Sequence, residues 1–313
     1  MGKFLLRFFL LVFLIVISAV IFFSYFGLET DKFDDLIKNK ANEAHKQVKL
    51  EFYKTKIHLN PKELNLVVKL QKPKILVKNN EIVLSKLNLF LPLRSFLTSD
   101  FLLERAQIAF TKNDIKDLTK VTGLFFPRII NKQFVKIFVK GSLEGEFVIP
   151  FESDGTMGKD YGFSGRIIDS SINLPKGFLI KDLTTEINLG KETKNAGFNL
   201  IIRNGSLFDL QLADSVINLT FKENLTKIKS LLHTNGEVSF SQIKKISSLL
   251  GLNIDSFKDI RGKANLKTKI DFDLNKKFKI KNLSYSLVGD VAHFEMDTEE
   301  RRTIKKYLPE YNS

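Results

Sequence analysis

The sequence predicts a mainly-β protein in which a single N-terminal transmembrane helix precedes a long, curled antiparallel β-sheet with a few short helices. Three observations support this prediction. No charged residue occurs from Phe8 to Leu28, hydrophobic residues alternate with polar ones through most of the remaining chain, and three strands interrupt that alternation in a similar way. The first pattern is typical of a membrane span and the second of half-buried strands.

The uncharged segment from Phe8 to Leu28 is long enough to cross a bilayer, since it would extend over roughly 30 Å as a helix. A cleaved signal peptide would end in small residues, whereas this segment ends in the bulky run FFSYFGL, so we expect an uncleaved anchor. The alternative is a buried core helix, although soluble helices that are apolar on every side are rare. Lys3 and Arg7 precede the span, which favours an amino terminus inside the cell and a body outside it.

The composition limits the chemistry of the body. The 313 residues are 43% hydrophobic, which is enough for one large or two modest domains with a core. There is no Cys, so disulfides, thiolate metal sites and Cys nucleophiles are excluded. Lys far outnumbers Arg in a chain of formal charge +14. Two interpretations of that charge stay open, codon bias from AT-rich coding and affinity for anionic partners.

We divide the chain into four parts, which are a cytoplasmic stub and anchor (1–28), a helix and strand unit (29–140), a repeating β-sheet (141–294) and a charged C-terminal helix or tail (295–313). Asp31 is positioned to cap a helix whose apolar positions recur every three or four residues, at Phe33, Ile37, Ala41, Ala44 and Val48. Two further helices are predicted near 113–124 and 241–252, each after a polar cap. Asn275 separates two alternating segments, which predicts an antiparallel hairpin.

Three strands carry an odd offset in their hydrophobic pattern. In FLIKDLTTEINL the apolar residues are on even positions up to Ile180 and on odd positions from Leu183. The segments EIVLSKLNLFLP and FKIKNLSYSLVG show the same change, so we place strand bends at Lys86, Asp182 and Asn282. An odd offset sends the second half of a strand to the other face unless an extra residue bulges out. Either the sheet repeats a unit that bends at one place, or Lys- and Leu-rich strands resemble each other by coincidence.

A dozen strands with apolar faces exceed what three short helices can cover. The sheet therefore either closes as a sandwich or barrel, or curls into a gutter that holds an apolar ligand. In the second case we expect the groove to be lined by the apolar faces of the clearest strands: Leu64, Leu66, Val68, Leu70, Leu143, Phe147, Ile149, Leu266, Ile270 and Phe272.

Catalysis and nucleic-acid binding are both disfavoured by the sequence. The four His residues have no metal-like spacing, and no HExxH, GxSxG, GxGxxG or phosphate-loop motif occurs. Asp271 and Asp273 share a strand face with Lys267 and Lys269, which indicates a solvated surface rather than a carboxylate pair. The basic residues are spread along the strands instead of clustered, so we expect no nucleic-acid partner, no metal and no cofactor.

The order of anchor, short helix and strands resembles the opening of the AsmA-like superfamily of Gram-negative bacteria, which includes YhdP and TamB. The resemblance is carried by the step Lys72-Pro73-Lys74-Ile75, the corner Leu91-Pro92-Leu93-Arg94-Ser95-Phe96-Leu97 and the strand Leu102-Leu103-Glu104-Arg105. The later segments GSLEGEFVIPFESDG and GFSGRIIDSSINLPKGFLIKDLTTEINL resemble strand repeats of the YhdP-like branch.

This resemblance implies a single-pass protein of the bacterial inner membrane whose bulk lies in the periplasm as a curled β-sheet with a hydrophobic groove. Members are implicated in moving phospholipids toward the outer membrane. The implied partners are phospholipid acyl chains, the inner membrane and other envelope proteins. The alternative function is a non-catalytic envelope assembly or scaffold factor with a closed β-sandwich.

Overall fold

The computed structural model describes residues 2–44, 48–77, 80–94, 102–118, 138–158, 160–174, 178–189, 197–208, 210–221, 225–250, 257–275 and 279–298. The helices α1 (Gly2–Tyr25), α2 (Asp34–Ala44) and α3 (Phe240–Leu250) lie in these ranges, and residues 115–118 are also helical. The first eight strands are β1 (Leu28–Thr30), β2 (Val48–Glu51), β3 (Thr55–Asn60), β4 (Asn65–Leu70), β5 (Lys74–Val77), β6 (Asn80–Pro92), β7 (Arg105–Asp114) and β8 (Phe138–Pro150). The other eight are β9 (Gly162–Leu174), β10 (Phe178–Leu189), β11 (Gly197–Leu207), β12 (Leu210–Leu212), β13 (Ser215–Phe221), β14 (Leu225–Ser239), β15 (Phe257–Asn275) and β16 (Ile280–Thr298).

The predicted fold class is confirmed, because the described chain is mainly β and its 16 strands form one large antiparallel sheet. The strand order is open and runs from β1 to β16, with β2, β5 and β13 paired beside the main path. By its contacts the chain divides into a first unit of residues 1–132 and 142–165 and a second unit of residues 133–141 and 166–313. Along the chain, two of the divisions between these units fall inside β8 and β9. The sequence-based division places one boundary after residue 140.

The N-terminal helix is long and apolar enough to cross a membrane. Its segment Phe8–Tyr25 has a mean hydropathy of 2.8, and none of it is buried against the rest of the protein. These properties are consistent with single-pass anchoring. A signal sequence would have the same length and composition. The helix ends earlier than predicted, because Gly27 takes a left-handed conformation (φ 67°) and Leu28 already belongs to β1.

The first unit surrounds a well-buried core. Most apolar residues of β4, β6 and β7 share one face through direct cross-strand pairs, such as Val68 with Leu89 and Leu70 with Leu87. Val67 and Phe90 form a buried pair on the other face. α2 begins at Asp34, whose carboxylate accepts a hydrogen bond from Thr55 at 2.5 Å, and its Ile37 is buried. Residue Val48, which the sequence pattern assigned to this helix, instead begins β2.

Other expectations for single elements have different outcomes. The hairpin around Asn275 is confirmed by the ladder that joins β15 to β16. The helix expected over 241–252 is α3, where the Ser239 amide donates to the Gln242 side chain at 2.7 Å in the manner of a capping box. Of the helix expected over 113–124, residues 115–118 are helical, and the rest lies outside the described residues. β16 continues to Thr298, past the start of the C-terminal part expected at residue 295, and residues 299–313 lie outside the described residues.

Candidate functional site

The second unit presents one apolar sheet face across six strands. Residues directly opposite each other in neighbouring strands share a face, so the pairs define rows that cross the sheet. One row contains Ile187, Leu200, Ile217, Ser230, Ile270 and Tyr285, and the next contains Leu189, Phe198, Leu219, Ile228 and Phe272. We call these two rows the apolar face.

The opposite side of the same strands is more polar, although one of its rows includes Ile201, Val216 and Leu231. The row one residue away contains Asn188, Asn199, Asn218, Lys229, Asp271 and Ser284. The Asn199 side chain donates a 2.8 Å hydrogen bond to the Asn218 side chain across the strands. Asp271 also lies 3.8 Å from Lys269, but its side chain is only 24% exposed. Within these three rows, the large apolar side chains are all on one side of the sheet.

On the apolar face the apolar side chains from β10 to β15 are half-buried, whereas those on β16 are exposed. At the β10–β11 side, Leu183, Ile202 and Leu212 form a buried core cluster. Ile228, Ile270 and Phe272 on β14 and β15 are only half-buried. On β16 the side chains of Tyr285 and Leu287 are 56% and 59% exposed, so apolar area remains available there for a ligand or partner.

α3 is the one helix in the described part of the second unit. Its Gln242 side chain donates a hydrogen bond to the Phe208 carbonyl at 2.5 Å, and Lys245 lies 5.6 Å above the Phe208 ring. These contacts attach the helix to the ends of the strands, beyond the two rows that form the apolar face. Because α3 follows Ser239 at the end of β14, it leaves the middle of that face to other contacts.

The lining residues expected in the second unit, Leu266, Ile270 and Phe272, lie on one face of β15. In the first unit the pairs place Leu66, Val68, Leu70, Phe147 and Ile149 on one face as well. Leu143 follows the same alternation in β8 and is half-buried. The two sets belong to different units and are described separately.

Three of the expected lining residues need correction. Val68 and Leu70 are 4% and 5% exposed, so they belong to the core of the first unit and offer no surface to a ligand. Leu64 precedes β4 and lies in a turn, with φ 51° and 67% exposure, rather than on the alternating strand face. The alternation of Leu64 with the following strand therefore did not distinguish a turn residue from a strand residue.

Phe147 belongs to an aromatic cluster that the sequence did not predict. Its ring centroid lies 4.4 Å from that of Phe163 and 6.1 Å from that of Phe110. Phe110 and Phe163 are buried, and Gly145 and Gly165 next to them leave no room for a side chain because the Phe163 ring would lie within 3 Å of an added Cβ. Phe147 thus stabilises the first unit by packing.

Backbone bulges occur at the three positions assigned to strand bends. β10 shifts register after Lys181, and Asp182 has φ 51°. β16 shifts register opposite Asp271 and Asp273, where Asn282 has φ 53°. β6 shifts register between Leu84 and Lys86. A bulge inserts one residue and bends its strand, so each of these strands changes direction at the polar step.

Two further left-handed residues inside strands were missed in the sequence. Asp169 in β9 has φ 49° and His293 in β16 has φ 52°. The signal was present, because the apolar positions change from odd (Phe163, Ile167) to even (Ile172) across Asp169. The same change occurs across His293. The offset rule therefore applies to more strands than the three in which it was used.

Charged groups on the outer faces form exposed local pairs. Glu186 accepts a 3.0 Å hydrogen bond from Arg203 and lies 3.8 Å from Arg166, and the bond from Arg203 is the main cause that lowers the pKa of this carboxylate. In the first unit, Lys86 and Gln107 both donate to Glu146. No group of three His, Asp or Glu residues that could hold a metal ion occurs in the part of the chain that the structure describes.

Comparison with known proteins gives no relative, since no protein-family model, curated protein or solved structure matches this chain.

Proposed function

We propose that this protein is anchored in the bacterial inner membrane and binds lipid acyl chains on the apolar face of its periplasmic sheet. The observation that carries the proposal is the row from Leu189 to Phe272, in which five neighbouring strands each contribute a large apolar side chain to one side. The polar row beside it faces the other way. Such a surface fits a ligand that is apolar along its length.

The dimensions of the apolar face suit a lipid tail. Six strands at about 4.8 Å spacing span roughly 24 Å. The acyl layer of one bilayer leaflet is half of a hydrocarbon core about 30 Å thick, so a tail can lie along a row without leaving it. Each buried CH₂ contributes about 0.8 kcal/mol, and a tail that slides along a uniform row exchanges one such contact for another at little net cost. The lipid tail would then bind tightly and still move along the row.

The proposed biological role is phospholipid transfer between the inner and outer membranes, or maintenance of the outer membrane. The anchor-like α1 and the amphipathic sheet support this role, together with the resemblance of the sequence to AsmA-like proteins. The mechanism is passive and uses no catalytic residue. Headgroups remain in water while the tails stay on the apolar face.

The test is native mass spectrometry of the full-length chain purified in mild detergent, beside a known lipid carrier treated identically. We expect phospholipid to remain bound to this protein. If the carrier retains lipid and this chain does not, the proposal fails.

A second candidate function is recruitment of other envelope proteins, as in an assembly factor. It is favoured by β16, an edge strand of the described sheet on which Ile280, Leu283, Val288 and Val291 are each about half exposed or more. Such an edge is a template for strand addition by another chain. Cross-linking in intact cells from single-cysteine variants on β16 distinguishes the two functions, because lipid binding alone yields no protein adduct.

A further inference from the structure

α1 is joined to the sheet without a flexible linker. Gly27 is followed at once by β1, whose Leu28 pairs with Ile57 of β3. A Cβ on Gly27 would lie 2.7 Å from the Ile57 carbonyl oxygen, so the chain passes directly against this strand. The Ser24 carbonyl oxygen of α1 also lies 3.5 Å from Nδ1 of His58. The end of the helix is therefore attached to the edge of the first unit.

This attachment determines which end of the strands is close to the membrane. β3 is antiparallel to β1, so it runs back toward α1 and ends at Asn60. Asn60 is two residues beyond His58, or about 7 Å along the strand. The turn 61–64 that follows therefore lies on the side from which α1 enters.

Turn 61–64 exposes an apolar side chain at considerable backbone cost. Leu64 is 67% exposed and has φ 51°, a conformation that bulky residues rarely adopt. A bulky residue is strained in this conformation, and Asn or Gly would avoid the strain. Leu64 gains little from packing in return, so its apolar side chain calls for another explanation.

The charges of the turn also suit a bilayer surface. The carboxylate of Glu63 is directed back to the protein, where it accepts hydrogen bonds from Arg105 at 2.8 Å and from Asn65 at 3.0 Å. Lys62 is exposed. Tyr25 and Phe26 at the end of α1 are 79% and 64% exposed, as in the aromatic belts of membrane interfaces.

We propose that turn 61–64 docks into the interface of the bilayer that α1 spans, with Leu64 at the acyl boundary and Lys62 among the lipid phosphates. The bilayer is the occupant because the anchor brings it to this turn. Docking at two points, α1 and the turn, would set the orientation of the first unit on the membrane. The inference depends on α1 being a membrane anchor and not on lipid binding to the apolar face.

The absence of Cys allows a direct test with single spin labels on the full-length chain in vesicles of phosphatidylethanolamine and phosphatidylglycerol. Leu64→Cys reports on the turn. Val83→Cys is the control, because Val83 is also exposed (50%) but precedes Pro92, the partner of Asn65, by nine residues or about 30 Å of strand. We expect the label at residue 64 to be several-fold more accessible to oxygen than to a water-soluble nickel chelate, and the label at residue 83 to show the reverse. Equal exposure of both labels to the nickel chelate would refute the proposal.

A second variant separates docking from folding. Leu64→Asn is suited to the left-handed backbone, so unfolding of the first unit should require as much denaturant as in the unsubstituted chain or more. A spin label at Lys62→Cys should nevertheless become several-fold more accessible to the nickel chelate when Leu64→Asn is added. No change in that accessibility would show that Leu64 does not hold the turn in the bilayer. Lipid retention by native mass spectrometry should be unaffected, which keeps this result independent of the proposed function.

Discussion

Replacement of Ile270 by Asp tests the apolar face on β15, beside its exposed end at β16. Ile270 lies between Ser230 and Tyr285 in one row and is half-buried, so part of its side chain is available to a bound tail. A carboxylate at this site would be covered by the tail, and removing a charge from water costs several kcal/mol. With about 3 kcal/mol for a partly hydrated site, the dissociation constant rises roughly 100-fold, since 1.4 kcal/mol corresponds to a factor of ten.

The matched control is Ser286→Asp. Ser286 is adjacent to Tyr285 on β16, but it pairs with Lys269 on the other side of the sheet and is exposed, so the same carboxylate enters the strand next to β15 and faces water. It should leave lipid affinity within about twofold of the unsubstituted value, because exposed charge pairs contribute about 0–1 kcal/mol. The new charge is identical in both variants, which removes net charge as an explanation.

The assay is titration of a fluorescent phospholipid into full-length protein, with circular dichroism and denaturant unfolding to establish that each variant is folded. Loss of half an Ile side chain from the face should cost the fold about 1 kcal/mol. If folded Ile270→Asp binds as tightly as the unsubstituted protein, the apolar face is not the binding site. If Ser286→Asp loses as much affinity, binding does not distinguish the two sides of the sheet.

Three further predictions concern the fold. Asp182→Gly should leave the free energy of unfolding unchanged or higher, whereas Asp182→Val should lower it by about 1–2 kcal/mol, because a β-branched residue disfavours the left-handed bulge. Equal stability of the two variants in urea would contradict this prediction. Phe163→Ala should lower the free energy of unfolding by about 3–5 kcal/mol through loss of contact with Phe147, and Phe163→Leu should lower it less. Calorimetry of both variants checks the difference. Burial, together with the charge of Lys69, lowers the pKa of His58, so the unfolded chain binds a proton more readily than the folded one. The free energy of unfolding should therefore fall as the pH drops below about 6.5, and this loss should be absent in His58→Gln.

Much of the fold could be predicted because local pattern and tertiary structure agree. The alternation of Ile270 and Phe272 with charged neighbours fixed the faces of β15, and Asn275 correctly marked the turn into β16. Such strands have one buried and one wet side, which is what a period of two encodes. The parity of apolar positions was equally informative about bulges, as at Asp182.

Burial could not be predicted in the same way. Val68 and Ile270 were both assigned to the apolar face of an alternating strand, yet Val68 is 4% exposed and Ile270 is half-buried. Their difference depends on what packs above each strand, which is a tertiary property absent from the strand's own sequence. The aromatic cluster of Phe110, Phe147 and Phe163 likewise joins residues far apart in the chain. The termini of elements were also uncertain, since Leu64 and Leu28 continue a pattern across a real boundary.

The bulges and the apolar face have a common physical cause. In β10 the apolar positions change from even to odd at Asp182, which by alternation alone would place Ile180 and Leu183 on opposite sides. The two residues instead pack in the same core cluster, because the extra residue restores the face that the offset would have reversed. An offset without a bulge would expose half of the strand's apolar residues on the charged side, and a bulge without an offset would do the same. The combination lets a strand bend while its apolar side chains remain together, and this is the local geometry that a continuous lipid-binding surface on a bent sheet requires.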